Sequence, residues 1–131
     1  MMKQVFTILI AIISFSVTSQ ELKIMSYNIK LDYPKKGKNS WVNRKPFMAN
    51  QIKFYNPAVL GVQEALPNQM KDLDSLLTDY NFVGVGRDDG KDKGEYSAIF
   101  YKKNKLEVIQ SSTFWLSATP EKVSMGWDAV C

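Results

Sequence analysis

With 131 residues, 45% of them hydrophobic and 12% aromatic, the chain is too apolar to be disordered or low-complexity and too short for more than one ordinary domain. Its formal net charge of +4 is compatible with a phosphate-bearing substrate, but an excess this mild does not single out nucleic acid. The single cysteine, Cys131, excludes an internal disulfide, so packing has to hold the domain together.

The first element in chain order reads as a signal peptide over residues 1–19. Lys3 supplies a short positive region, Val5 to Val17 is uncharged and mostly apolar, and Val17-Thr18-Ser19 offers a small-residue cleavage site. That apolar stretch is too short to span a bilayer, which takes about 20 residues. The mature domain, 20–131, is therefore expected to begin at Gln20, to keep no membrane span, and to be secreted or periplasmic.

Leu22 to Ile29 alternates and reads as a first strand. A loop rich in Pro, Gly and Lys follows, with Lys35, Lys36 and Lys38. Ser40 has the chemistry of a helix N-cap, and Trp41, Val42, Met48, Ile52 and Tyr55 fall near helical spacing up to Asn56-Pro57. Pro46 has to sit near the first turn of that helix or kink it. Ala58 to Gln63 reads as a second strand and Leu66 to Leu77 as a second helix, with Leu66, Met70, Leu73 and Leu77 on one stripe. Tyr80 to Val85 is a third strand. Beyond the loop from Gly86 to Gly94, Tyr96 to Tyr101 and Leu106 to Leu116 read as a hairpin around Lys103-Asn104-Lys105. This order of strands and helices predicts a mixed-sheet α/β protein.

The run AVLGVQEA, Ala58 to Ala65, stops abruptly at Gln63 and Glu64. A carboxylate at the end of an apolar strand sits where the sheet opens to solvent or to a ligand. If the first two strands lie side by side with helices crossing over, Asn28 and Glu64 emerge at the same carboxyl edge, where open α/β sheets bind ligands. An amide oxygen beside a carboxylate suits a hard cation such as Mg²⁺. Each residue also has an ordinary explanation, Asn28 as a turn former and Glu64 as a carboxylate near a helix N-terminus.

SYNIK at Ser26 to Lys30, a helix opening with Trp41 and Arg44, and GVQEA at Gly61 to Ala65 resemble the endonuclease/exonuclease/phosphatase family. GEYSAIFYKK at Gly94 to Lys103, FWLS at Phe114 to Ser117 and GWDAVC at Gly126 to Cys131 are similar to the same family, in particular its deadenylase-like and secreted branch. The resemblance implies a DNase I-like α/β fold, two mixed β-sheets packed as a sandwich with helices outside, of which this chain supplies about the first half. It implies a Mg²⁺- or Mn²⁺-dependent hydrolase of phosphate esters, acting as phosphodiesterase, nuclease or phosphatase, and a monomer. Glu64 then matches the metal-binding glutamate and Asn28 the asparagine that helps hold metal and phosphate. Glu95 falls where family members carry a glutamate supporting a catalytic histidine, and Tyr96 could reach a phosphate through its hydroxyl.

Other polar and aromatic residues read more simply. Arg44 is expected to be structural, Trp115 to be core rather than a base-stacking platform, and the loop with Asp88, Asp89 and Asp92 to be a solvated turn. The family mechanism also uses histidine and an Asp-x-Asn motif, whereas this chain has no histidine and nothing of that kind after GWDAVC. The expectation is an N-terminal piece of a longer enzyme, inert and poorly stable alone. The alternative is a secreted binding or structural module without catalysis. Which substrate class is used, nucleic acid, phospholipid headgroup, inositol phosphate or small phosphate, is left open by the sequence.

Overall fold

The computed structural model describes residues 21–33 and 37–127. The expected signal peptide at 1–19, Lys35, Lys36 and residues 128–131 lie outside the described residues. In chain order the elements are β1 (Ile24–Asn28), α1 (Trp41–Tyr55), β2 (Val59–Ala65), α2 (Pro67–Leu76), β3 (Tyr80–Val83) and β4 (Tyr96–Lys102). The strands form one mixed sheet in the order β1-β2-β4-β3; β1 and β2 are parallel, and the other two pairings are antiparallel.

The alternation in β2 and β4 decides where the core sits. Leu60 and Val62 of β2 and Ala98 and Phe100 of β4 are buried and meet Trp41, Met48 and Ile52 of α1 and Leu73 of α2. Each of the Val, Leu, Ile, Met and Phe side chains contributes roughly 1.5–3 kcal/mol by leaving water. Ser26, Ser97 and Ile99 point to the other face and are exposed. The described residues thus supply one of the two expected sheets, with its helices on one side.

Local chemistry sets the helix ends. Asn56 takes a left-handed conformation with φ 51°, its N–H bonds to the Ile52 carbonyl, and Pro57 blocks continuation. Ser40 occupies the N-cap position of α1 in extended backbone, yet its hydroxyl makes no capping bond. Pro46 lies inside α1, where it leaves the Val42 carbonyl without a helical donor. Val42 and Pro46 are both exposed, so water can satisfy that carbonyl.

The expected hairpin does not form. Lys103–Lys105 do turn the chain, but Leu106 to Leu116 is not a strand, and Val108, Ile109, Phe114 and Leu116 are exposed. The reason is edge occupancy: β2 and β3 already pair with the two edges of β4, so a strand arriving directly from its end has no free edge to join. The segment is tied down elsewhere. Trp115 lies against Gly90 and donates its indole N–H to the Arg87 carbonyl at 2.8 Å, leaving the residue half-buried rather than in the core.

A polar clasp joins the two helices. Asp72 on α2 accepts Trp41 Nε1–H at 2.7 Å and Lys45 Nζ–H at 3.0 Å, both from α1. These donors, Lys45 foremost, hold the Asp72 carboxyl below the ordinary carboxylate range. A carboxyl lowered in the folded state adds stability above its unfolded value, about pH 4, and that stability is lost as pH falls through the folded value. Asp72→Asn is therefore expected to lower the urea midpoint at neutral pH and to flatten its decline as the pH falls below the ordinary carboxylate range. Parallel curves for the two proteins would refute this.

Candidate active site

Because β1 and β2 run parallel with Asn28 opposite Gln63, both strands deliver their ends to one edge of the sheet. The Ile29 N–H extends the pairing by donating to the Gln63 carbonyl at 3.1 Å. There Asn28 Nδ2 donates to Glu64 Oε1 at 2.8 Å, and the Leu31 N–H donates to Glu64 Oε2 at 3.3 Å. The Asn28 amide is fixed from its other side, since Oδ1 accepts the Lys30 N–H at 2.9 Å. Reversing the amide would set its oxygen against the carboxylate, so this network specifies one orientation.

Glu64 owes its position to a break in the strand. Regular alternation after Leu60 and Val62 would turn residue 64 toward the helices. Between Val62 and Ala65, however, β2 gains a residue relative to β4: Val62 pairs with Ala98 and Ala65 with Tyr96. In this bulge Glu64 has φ 61°, and Ala65 takes the buried place that Glu64 would have filled. A side chain other than glycine in left-handed backbone costs of order 1–3 kcal/mol, and such strain gathers at functional sites. The Asn28 hydrogen bond, the Leu31 N–H and the Lys30 charge together lower the Glu64 carboxyl from its ordinary range, so it is anionic at neutral pH.

The loop that leaves β1 is held from two sides. Arg44 on α1 donates through Nη2 to the Lys30 carbonyl at 3.0 Å, through Nε to the Asn39 carbonyl at 2.8 Å, and through Nη1 to the Ile29 carbonyl. Its guanidinium lies 5.4 Å from the Trp41 ring. On the other side is Gln69 of α2, which is not among the residues expected at the site. It is fully buried, and its only sequence signal is an amide adjoining the apolar stripe of its helix.

Glu95 and Tyr96 lie at the start of β4, beside the end of β2, because Tyr96 pairs with Ala65. The Glu95 carboxylate sits 3.5 Å from Arg87 Nη1. The Tyr96 ring is buried, and its hydroxyl donates to the Lys91 carbonyl at 3.1 Å; contact with a substrate would require giving up that bond. In the adjoining loop Asp89 accepts the N–H groups of Lys91 and Lys93, a self-bonded turn. Asn28 and Glu64 are thus in direct contact, while Glu95 and Tyr96 are engaged with the 86–95 loop.

Among the described residues no three His, Cys, Asp or Glu side chains gather into a metal cage. The anionic Glu64 carboxylate, held in place by the Asn28 amide N–H, nonetheless fits a hard cation of the Mg²⁺ type. Such ions take few protein oxygens and keep several waters or phosphate oxygens in their shell.

The fold of the chain recurs in solved proteins. The solved endonuclease/exonuclease/phosphatase of Bacteroides vulgatus is 44% identical, with a TM-score of 0.82 over 86% of this chain and 44% of its own. The chain belongs to the endonuclease/exonuclease/phosphatase family. A mannosyl-6-phosphatase of Bacteroides thetaiotaomicron is 41% identical with a TM-score of 0.78, over 84% of this chain and 42% of that one. Among curated proteins, the "Carbon catabolite repressor protein 4 homolog 5" of Arabidopsis thaliana is 33% identical over 69 residues, 53% of this chain and 15% of that protein. No family model matches the chain. The chain spans less than half the length of these solved endonuclease/exonuclease/phosphatase-family structures. Its mixed four-stranded sheet with two helices has their DNase I-like fold.

Proposed function

We propose that the protein carrying this chain is a divalent-metal-dependent hydrolase of phosphate esters, secreted or periplasmic and monomeric, with a phosphomonoester on a sugar as the first substrate to test. The observation that carries the reading is the Asn28–Glu64 contact on a strained bulge at the carboxyl edge of two parallel strands. The substrate class rests on the 41% identity to a mannosyl-6-phosphatase.

Glu64 would hold the cation through its carboxylate, with Asn28 orienting that carboxylate through its amide N–H. Bound there, Mg²⁺ or Mn²⁺ supplies positive charge to phosphoryl oxygens and to the leaving oxygen. Asn28 keeps Glu64 ionised and aimed at the open edge of the sheet. Lys30 adds a cation beside the same carboxylate, favourable for an approaching phosphate. Glu95 is proposed as a supporting carboxylate at this edge.

The test is release of inorganic phosphate by the full-length protein from mannose 6-phosphate, with a phosphodiester and single-stranded DNA assayed in parallel. The expected result is turnover of the sugar phosphate that stops with EDTA and returns with excess Mg²⁺ or Mn²⁺. Chelator-insensitive turnover would overturn the metal assignment, and hydrolysis of the nucleic acid alone would move the substrate class.

A further inference from the structure

The site just described stands on two loop ends that share no covalent link: residues 29–32 leaving β1, and residues 64–66 leaving β2. Gln69 joins them. Its Oε1 accepts both the Leu66 N–H and the Asp32 N–H, each at 3.0 Å, and its Nε2 donates to the Lys30 carbonyl at 3.0 Å. The residue is 0% exposed. Its three partners are backbone groups flanking the carboxylate: Leu66 lies two residues after Glu64, while Lys30 and Asp32 bracket Leu31, whose N–H binds Glu64 Oε2.

We propose that Gln69 is the positioning residue of this site, fixing by one buried amide the separation of the two loops and so the direction of the Glu64 carboxylate. The proposal rests on the reading of Glu64 as the metal ligand. The chemistry suits the task. The ladder gives Gln69's three backbone partners no cross-strand mates, because it ends at Asn28–Gln63. A buried amide with one strong acceptor and one donor supplies what two N–H groups and a carbonyl need. A carboxylate, with no donor, would face the Lys30 carbonyl unpaired. An apolar side chain of the same length would leave three backbone groups unbonded and the loops free to part. Supporting groups around a metal ligand typically change metal affinity or activity 10–100-fold when removed.

Gln69→Met, which nearly keeps the volume and deletes the amide, is the principal variant. Leu66→Pro is the second: Leu66 has φ −77°, which proline accepts, so it deletes one of the three bonds without touching the buried side chain. Mg²⁺ binding to the full-length protein is measured by calorimetry without substrate, well below the melting temperature of each variant, with Glu64→Ala alongside. The expected result is at least about a tenfold weaker Mg²⁺ dissociation constant for Gln69→Met, a smaller loss for Leu66→Pro, and kcat restored to within about twofold at saturating Mg²⁺. A lowered melting temperature with unchanged Mg²⁺ affinity would show a purely structural role and overturn the proposal. If Gln69→Met does not fold, unchanged affinity in Leu66→Pro overturns it equally. If Glu64→Ala itself binds Mg²⁺ as the parent does, the metal reading has failed, and this proposal falls with it.

Discussion

Glu64→Gln in the full-length protein is expected to lower turnover of a phosphate ester about 10³-fold, because a metal-held phosphoryl group draws several kcal/mol of charge stabilisation and each 1.36 kcal/mol is tenfold in rate. The amide oxygen of Gln can still accept the Asn28 donor, so the geometry is largely kept while the charge and the Leu31 N–H bond are removed. Asn28→Ala, which leaves the charge but releases its orientation, is expected to lose about 10–100-fold. Stability separates these effects from damage to the fold. Glu64 is only partly buried and sits at φ 61°, so Glu64→Gly should relieve backbone strain. Its melting temperature is expected to equal or exceed the parent's while activity is lost as in Glu64→Gln. Full activity in either variant, followed by phosphate release under excess Mg²⁺, would remove Glu64 from the chemistry.

Trp41→Ala is expected to destabilise the folded state by about 3–5 kcal/mol, the usual loss for a buried Trp or Phe cut to Ala. Trp41 is 1% exposed, forms part of the core over β2, and donates to Asp72 across the helix pair. It also backs the Arg44 guanidinium that grips the Ile29, Lys30 and Asn39 carbonyls. The substitution thus opens a cavity and loosens the loop that follows Asn28. Where the variant remains folded, Mg²⁺ activation should require a higher metal concentration than in the parent. Trp41→Phe keeps most of the volume and loses the indole N–H, so its cost should be about 1–2 kcal/mol. Urea unfolding of the three proteins decides the matter, and a cost below about 1 kcal/mol for the alanine variant would contradict this packing.

Local chemistry was enough to place most elements. The helix over Trp41–Tyr55 follows from apolar spacing and the Asn56-Pro57 stop, and the apolar run before Gln63 marks a strand with a polar end. Such features depend on neighbours within a few residues, and hydrophobic period and turn residues record them directly. The placing of Asn28 beside Glu64 needed one further step, that two strands with a helix between them pair in parallel.

Three things were decided only by the tertiary structure. Alternation in β2 points residue 64 into the core, and the pairing with β4 is what extrudes Glu64 into a bulge and gives its place to Ala65. The segment after Lys105 has the composition of a strand but finds both edges of β4 taken. Gln69 looks like any polar residue on an amphipathic helix until the two loops it joins are brought together around it. The physical reason is common to all three: a bulge, an occupied edge and a bridging amide are relations between segments distant in the chain, which no local period encodes. The sequence by itself determined which residues could do chemistry at this edge, and the tertiary structure decided which way they point and what holds them there.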